Sequence, residues 1–149
     1  MKRFLSITPL MLATLLSFGQ MLCPDGLVMC GNGTFKITLH GQGGHASQPE
    51  LCRDPVLAAS AITLNLQQII SRRLAPQQAA VISVTSIEAI SAPTVIPQNA
   101  ILGGSIRVPD RKIRDEIYRL ITEISQQTAA SYGVVAEVEH FPRYDATIN

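Results

Sequence analysis

The sequence predicts an α+β two-layer sandwich, in which a four-stranded antiparallel sheet carries two helices on one face. Three observations predict it: two segments with helical spacing, four segments with β-type alternation, and the order strand, helix, strand, strand, helix, strand. That order is the split βαβ arrangement of ferredoxin-like domains. We expect the other face of the sheet and its edge strands to be covered, charged or paired with a partner.

The first half of the pattern contains a strand, a helix and a second strand. Residues 35–40 alternate apolar and polar side chains, as a half-buried strand does. Asp54 is a candidate N-cap and Pro55 suits the first turn of a helix that we expect to run to about Arg72. The apolar positions of this helix are Val56, Ala59, Ile62, Leu66, Ile69 and Ile70. The second strand is expected over residues 79–90, and we expect it to lie at an edge of the sheet.

The second half repeats the pattern with a strand, a longer helix and a last strand. The strands are expected over residues 100–108 and 134–140, with Asp110 as the N-cap of the helix between them and Gly133 as its end. The apolar stripe of this helix contains Ile113, Ile117, Leu120, Ile121 and Ile124. Its wet face is expected to contain Arg111, Lys112, Arg114, Asp115, Glu116 and Arg119.

The composition fits one domain and excludes several classes of function. A chain of 149 residues with 46% apolar residues can build one hydrophobic core. The net charge is +1 and aromatic residues make up 5%, so we expect no nucleic-acid partner. Cys23, Cys30 and Cys52 are odd in number and irregularly spaced, which predicts reduced thiols rather than disulfides or a zinc knuckle.

Residues 1–24 form an apolar N-terminal segment that differs in character from residues 25–149. Two basic residues precede residues 4–22, which carry no charge. The segment resembles a secretory signal peptide with cleavage after Gly19, approaches the length of one membrane span, and also fits the remnant of a truncated gene. These alternatives leave the localisation unknown, with export or membrane attachment expected only if the segment acts as a signal or anchor.

A glycine-rich turn, Gly43-Gly44-His45-Ala46-Ser47, follows the first strand. Glycine permits close approach of the backbone and imidazole donates hydrogen bonds, so the turn suits an anionic or tetrahedral group. A turn histidine satisfied by the backbone is the alternative. We expect His40 and His140, which belong to no motif, to be solvated strand residues. No His-x-Asp or Glu-Glu constellation accompanies the three histidines, so we expect no metal site in this chain.

Several ordered motifs together resemble one protein family. They are Gly26-Leu27-Val28-Met29, Phe35-Lys36-Ile37, Gly41-Gln42-Gly43-Gly44-His45-Ala46, Asp54-Pro55-Val56, Val95-Ile96-Pro97 and Gly104-Ser105-Ile106-Arg107. Their order and spacing resemble the dimerisation (lid) domain of hippurate hydrolases and N-acyl-amino-acid amidohydrolases, which are metallopeptidases of the aminoacylase/carboxypeptidase class. The resemblance covers residues 25–149 and implies a homodimeric lid module of a cytoplasmic, metal-dependent amidohydrolase.

The resemblance also implies that the chemistry depends on a separate catalytic domain. In this family that domain binds two divalent metals, zinc or manganese, and supplies a glutamate as general base. No such residue cluster occurs in this sequence, so we expect no cofactor in this chain. We therefore expect the fragment to be inactive alone, and to meet an N-acyl amino acid only together with a catalytic domain.

Residue by residue, the resemblance implies three contacts with substrate. His45, with Gly43 and Gly44 beside it, reaches into the active site of the opposite subunit and contacts the oxyanion or a substrate polar group. Thr94 replaces the asparagine that usually contacts substrate in the family, and a hydroxyl offers fewer hydrogen bonds than an amide. Arg107 resembles an arginine that grips the substrate carboxylate. For Arg107, the alternative is a surface ion pair with Asp110 or Glu137.

Two other functions stay open at the level of sequence. One is a stand-alone, non-catalytic dimerisation or interaction module, which self-association without turnover would indicate. The other is a small-ligand-binding ferredoxin-like domain, which a ligand-dependent shift in melting temperature would indicate.

Overall fold

The structure, a computed structural model, describes residues 27–148. The N-terminal segment of residues 1–24 lies outside these residues. Within the described range, no helix combines the length and the apolar character that crossing a bilayer requires. In chain order the elements are β1 (Leu27–Met29), β2 (Gly31–His40), β3 (Gly44–His45), α1 (Pro55–Leu66), β4 (Val81–Glu88), β5 (Val95–Ile96), β6 (Asn99–Val108), α2 (Arg111–Ser131), β7 (Val135–Tyr144) and β8 (Thr147–Ile148).

The main sheet confirms the predicted α+β sandwich. Its strand order is β4-β6-β2-β7, and every neighbouring pair is antiparallel. The alternating pattern of β2 places Phe35, Ile37 and Leu39 in the core, where they are at most 2% exposed. The helices contribute their own apolar stripes to the same core, including Ile62 of α1 and Ile117 of α2. The apolar side chains of the strands, which repeat every second residue, and those of the helices therefore pack together in one hydrophobic layer.

Helix α1 begins as predicted and ends differently. The Asp54 Oδ1 accepts the Val56 N–H at 2.8 Å, which confirms the N-cap. The regular helix stops at Leu66, and a wide turn over Ile69–Arg73 replaces its last part. Val56 was predicted to lie on the apolar side of the helix, but it is 37% exposed. The face of α1 that packs on the core includes the fully buried Ala58 and Ala59, and Val56 lies outside it.

Helix α2 corrects one prediction about charge. Asp110 caps it by accepting the Ile113 N–H at 2.9 Å, and Gly133 ends it with a φ of +70°, as predicted. Arg114 was expected on the wet face, but it is 4% exposed. Its Nη1 donates to Asp145 Oδ1 at 2.6 Å. Because Asp145 follows β7, this ion pair attaches the chain that leaves the sheet to the first turn of α2.

Three of the four predicted strands extend beyond their predicted bounds, whereas β4, predicted over residues 79–90, covers only Val81–Glu88. Two short pairs of strands add to them. β2 begins at Gly31, before the predicted residue 35, and β7 continues to Tyr144 through Pro142. Proline lacks a backbone N–H, so a strand tolerates it where no neighbouring strand needs that donor. β7 is an edge strand and can therefore contain Pro142. The short pairs are β1 with β8 and β3 with β5. Such two- and three-residue strands are too brief to show a period in the sequence.

His140 was expected to be solvated, and the structure places it half-buried between β7 and α2. Its ring stacks on Tyr118 with 4.3 Å between the ring centroids, and its Nε2 lies 2.8 Å from Thr122 Oγ1. The Thr122 hydroxyl donates its proton to the Tyr118 carbonyl, so Nε2 must be the donor to Thr122. The Nδ1 is then a buried acceptor without a partner among the described residues. Burial lowers the pKa of His140.

We expect His140→Gln to reduce the loss of melting temperature between about pH 7.5 and about pH 5. With a lowered pKa in the folded state, His140 resists protonation, so the unfolded state binds more protons at acid pH. Its stabilising contribution is complete above the usual histidine pKa of about 6.5 and is lost as pH falls through the folded pKa. The glutamine amide can still donate to Thr122.

The measurement is thermal unfolding by circular dichroism at several pH values. The matched control is His40→Gln, because the His40 side chain is 45% exposed. Equal pH slopes in the parent chain and in His140→Gln would contradict the assignment.

Candidate functional site

The histidine turn lies at the end of the sheet where β2 stops. His45 in β3 is paired with Val95 in β5, and the neighbouring Ala46 N–H donates to the Thr94 carbonyl at 2.9 Å. The structure therefore brings together His45 and Thr94, two of the predicted site residues, on adjacent segments. The Thr94 side chain forms no hydrogen bond with another described residue, so the residue is anchored through its backbone.

A second set of backbone hydrogen bonds supports the turn from its other side. Gln42 and Arg53 exchange both of their backbone hydrogen bonds at 2.9 Å, which closes the loop between them. The Gly41 N–H donates to the Gln98 carbonyl at 2.9 Å. The loop that carries His45 is thus bound both to itself and to the chain after β5.

Gly43 and Gly44, predicted to contact substrate, are both closely packed inside the turn. A Cβ on Gly43 would lie 2.6 Å from the Ile96 carbonyl oxygen, and a Cβ on Gly44 would lie 2.7 Å from Cys52 Sγ. Neither glycine has a positive φ, so both are required for space rather than for a left-handed backbone. Their contact with substrate stays a prediction.

The His45 ring is exposed, and one of its nitrogens is held by the turn. Ser47 donates its backbone N–H to Nδ1 at 3.2 Å, and Ser47 Oγ lies 2.7 Å from the same nitrogen. A backbone N–H can only donate, so in the neutral ring Nδ1 is the acceptor and Nε2 carries the proton. Within residues 27–148 no hydrogen bond or ion pair involves His45 Nε2. The turn therefore presents one N–H donor to the outside.

Arg107 lies at the other end of the sheet. It pairs with Asn32 of β2 and Val81 of β4, whereas His40, which leads into the turn, pairs with Asn99 at the start of β6. At about 3.4 Å per residue, Arg107 is roughly 27 Å along β6 from that end. The structure thus separates Arg107 from His45 within one chain.

The alternative that Arg107 forms a surface ion pair is not observed. Among the described residues, its guanidinium lies within ion-pair distance of neither Asp110 nor Glu137. The Glu137 carboxylate instead lies 3.6 Å from His40 Nε2. Arg107 therefore presents a free cation in the part of the chain that the structure describes.

The described residues do not fit a metal centre. Between residues 27 and 148, no three His, Cys, Asp or Glu side chains are grouped closely enough to hold a metal ion. The three histidines lie apart, with His40 at the end of β2, His45 in the turn and His140 at the β7 edge. The chemistry available here is hydrogen-bond donation by an imidazole and charge pairing by a guanidinium.

The turn itself lines neither of two larger cavities. One, of about 530 Å³, lies on the open face of the sheet around Lys36 and Gly103. The other, of about 510 Å³, lies between α2 and β7 around Tyr118 and His140. His45 is exposed and lines neither of these two cavities.

Sequence reasoning missed the residues that support His45 from behind. Ser47, two residues later, had a local signal, because serine side chains bond to neighbouring groups in turns. Cys52, only 7% exposed, and Arg53 had no such signal, because their contacts with the turn come from loop closure.

Comparisons with known proteins place the turn in a family context. Residues 29–133 match the family described as the peptidase dimerisation domain. The IAA-amino acid hydrolase ILR1-like 5 of Arabidopsis thaliana is 34% identical over 148 residues, which cover 97% of this chain and 34% of that protein. The hippurate hydrolase of Campylobacter jejuni is 36% identical over 105 residues, which cover 68% of this chain and 27% of that protein.

A solved structure agrees with these relatives. The Bacillus subtilis YXEP protein, described as a dinuclear metal binding peptidase from the M20 family, superposes with a TM-score of 0.66 at 26% identity. The superposition covers 85% of this chain and 30% of that chain. The chain thus spans about a third of the length of the proteins that it matches. The comparisons confirm the resemblance to the dimerisation domain.

We expect Cys52→Ala to relieve the destabilisation caused by Gly44→Ala but not the destabilisation caused by Gly43→Ala. Gly43→Ala should lower the free energy of unfolding by about 1–3 kcal/mol, because its Cβ meets backbone atoms that cannot move aside. Gly44→Ala meets only the Cys52 thiol, so Cys52→Ala should relieve it. Urea denaturation of the single and double variants measures both effects.

The Gly44→Ala/Cys52→Ala double variant should lose less free energy of unfolding than the sum of the losses of its two single variants. For Gly43→Ala/Cys52→Ala, the loss should equal that sum. Additive effects at Gly44 would show that the thiol does not limit the space behind His45.

Proposed function

Because this chain belongs to the peptidase dimerisation domain family of the M20 hydrolases, we propose that it is the dimerisation and substrate-lid module of a metal-dependent amidohydrolase acting on N-acyl amino acids. The observation that carries the proposal is the exposed His45 with its Nε2–H donor on a doubly anchored turn. The names of an IAA-amino acid hydrolase and a hippurate hydrolase among the relatives support this substrate class. The metals, zinc or manganese, belong to the remainder of such an enzyme.

In this role His45 stabilises negative charge on the substrate. When an amide carbonyl becomes tetrahedral, its oxygen takes up charge, and an N–H donor already in place lowers the barrier. The donor here is preorganised, since Ser47 holds the ring and two sets of backbone hydrogen bonds hold the turn. Because His45 lies on an exposed surface of its own chain, we assign this contact to the active site of the partner subunit.

The dimer surface that we propose consists of β4 and α1. β4 is an edge strand, as the sequence predicts, and it contains no charge before Glu88. α1 packs beside it and contains no charged residue along its length. It also exposes Leu57 and Leu64, which are 55% and 73% accessible. A helix that is apolar on both faces is expected to be covered on both.

The opposite edge of the sheet is less suited to pairing. β7 contains Glu137, Glu139, Pro142 and Arg143, and charges and proline block edge-to-edge association. The contrast between the two edges favours a dimer in which β4 pairs with its own copy across a two-fold axis, so that one sheet continues through both subunits.

A two-fold axis at β4 also explains how His45 and Arg107 can serve one site. Antiparallel pairing of β4 with its copy runs the two sheets in opposite directions. The Glu88 end of β4, beside the histidine turn, then lies next to the partner's Val81 end, beside the partner's Arg107. A carboxylate held by Arg107 of one subunit would thus lie at the same end of the joined sheet as the donor of the other. Thr94, beside His45, would contact the same substrate.

We expect Leu64→Lys to convert a dimer of this chain into a monomer at tens of micromolar. Burying an unpaired ammonium at the centre of an interface costs about 2 kcal/mol or more, which weakens association at least about 30-fold. Sedimentation velocity of the parent chain and the variant measures the change. The matched control is Val135→Lys on β7, at a residue that is 62% exposed. A monomeric parent chain, or dissociation by Val135→Lys alone, would contradict the β4 and α1 surface.

We expect His45→Ala to lower turnover by roughly 100- to 1000-fold in an enzyme rebuilt by placing this domain between the catalytic halves of a relative. The melting temperature should change little, because surface substitutions typically cost under about 0.5 kcal/mol. His40→Ala, at the same end of the sheet, is the control and should keep its turnover. The isolated chain should not hydrolyse hippurate with added zinc or manganese.

Mixing the His45→Ala enzyme with a variant that lacks only its general base tests the assignment in trans. Each mixed dimer then contains one complete active site, so part of the activity should return. Unchanged turnover in His45→Ala, with an intact dimer, would instead favour an interaction module without a catalytic role.

A further inference from the structure

We propose that Ser47 is a positioning residue that holds His45 as the Nε2–H tautomer and thereby aims its only proton away from the turn. For its catalytic meaning this inference rests on the proposed function. The contact itself can be tested on this chain alone. The chemical class of the ligand that such a donor recognises is an oxyanion or a polarised carbonyl oxygen.

The geometry of the turn leads Ser47 back to the imidazole. The Gln48 N–H donates to the His45 carbonyl at 3.0 Å, which closes a β-turn over residues 45–48. Ser47 is the third residue of this turn, so its backbone N–H and its side chain both reach the ring that precedes them. A short 3₁₀ turn over Pro49–Leu51 follows immediately and limits the freedom of the Ser47 backbone.

The two contacts at Nδ1 are compatible with only one tautomer of the neutral ring. The backbone N–H of Ser47 approaches Nδ1 at 3.2 Å and has no acceptor capacity. If Nδ1 carried a proton, two N–H groups would face each other. With the proton on Nε2, Nδ1 accepts both the backbone N–H and the hydroxyl at 2.7 Å. Ser47 therefore determines which ring nitrogen is the donor.

Two other histidines lie in the described residues, one with the same expected ring tautomer as His45 and one with a different hydrogen-bond partner. His140 Nε2 donates to Thr122, so its tautomer should match that of His45. His40 Nδ1 lies 3.0 Å from Asn99 Oδ1 and has no contact with Ser47. The two rings serve as internal references in one spectrum, because substitutions at residue 47 should leave both unchanged.

The test uses the full chain labelled with ¹⁵N-histidine, at a pH high enough for neutral imidazoles. Two-dimensional NMR that correlates the ring nitrogens with the ring carbon-bound protons distinguishes a protonated from an unprotonated nitrogen. In the parent chain, His45 should show a protonated Nε2 and an unprotonated Nδ1. A protonated Nδ1 on His45 would overturn the inference.

A pair of isosteric substitutions makes the test selective. Ser47→Asp keeps the backbone N–H contact at 3.2 Å but introduces a carboxylate, which can only accept. Because a hydrogen bond to a charged acceptor is roughly twice as strong as a neutral one, the carboxylate should outweigh that contact and draw the His45 proton onto Nδ1. Ser47→Asn has nearly the same shape but can still donate to Nδ1, so His45 should keep its Nε2–H. Identical spectra for the two variants would show that the Ser47 side chain does not set the tautomer, which would overturn its role as a positioning residue. Ser47→Thr, which retains the hydroxyl, should reproduce the parent spectrum. Unchanged melting temperatures and unchanged His40 and His140 signals show that the fold is retained.

A turnover measurement separates this inference from the proposed function. In the rebuilt enzyme, Ser47→Asp should lower kcat by roughly 100- to 1000-fold, as far as loss of the imidazole itself, because Nε2 then accepts instead of donating. Ser47→Asn should retain most of the turnover. If the NMR result is as expected but His45→Ala leaves turnover unchanged, the proposed function fails while the role of Ser47 in setting the tautomer stands. If the spectra are not as expected, the role of Ser47 fails whatever the turnover shows.

Discussion

The pairing of β2 with β6 over ten residues decides where the functional groups of this domain lie. Its register runs from Gly31 opposite Val108 to His40 opposite Asn99. One end of this ladder leads into the histidine turn, and the other carries Arg107. Because a strand is rigid along its length, the backbone of Arg107 is held roughly 27 Å along β6 from the end that leads into the turn. In one chain, Arg107 and the histidine turn therefore lie at opposite ends of the sheet.

The same ladder leaves the two edges of the sheet to strands of unlike character. β6 is covered on its outer side by β4, which contains no charge before Glu88, and β2 is covered by the charged β7. The uncharged helix α1 lies toward β4, and α2, with its ion pairs among Glu116, Arg119 and Glu123, lies toward β7. One side of the sandwich is therefore suited to association and the other to solvent. The family description implies self-association, and an uncharged edge strand is the kind of surface that pairs with another strand.

The entry and exit of the chain are joined to each other and to the core. β1 pairs with β8, and Arg114 of α2 binds Asp145 just before β8. A guanidinium that is 4% exposed loses its hydration and must recover that free energy from a partner. The pairing therefore fixes the direction in which both ends leave the sandwich.

Much of the fold could be predicted from the sequence because its signals are local. Alternation predicted β2, β4, β6 and β7, helical spacing predicted α1 and α2, and Asp54, Asp110 and Gly133 marked helix ends where the structure has them. Element order then allowed the split βαβ sandwich and an edge position for β4. The Gly43-Gly44-His45 motif could be recognised for the same reason, because glycine allows close backbone approach and histidine supplies a hydrogen-bond donor wherever they occur. Its family resemblance, now confirmed, assigned it a role that residue types alone could not.

Other features depended on contacts between distant residues, and only the tertiary structure decided them. The local pattern predicts Arg114 and His140 to be exposed to solvent, yet both are covered. Arg114 is paired with Asp145 and His140 is stacked on Tyr118, and the local pattern cannot predict contacts between residues so far apart in the chain. The sequence by itself determined which residues can donate, cap and pack. The tertiary structure decided that His45 and Arg107 lie at opposite ends of one sheet and that Ser47 holds the imidazole, because register and turn closure bring residues together by pairing and not by proximity in the chain.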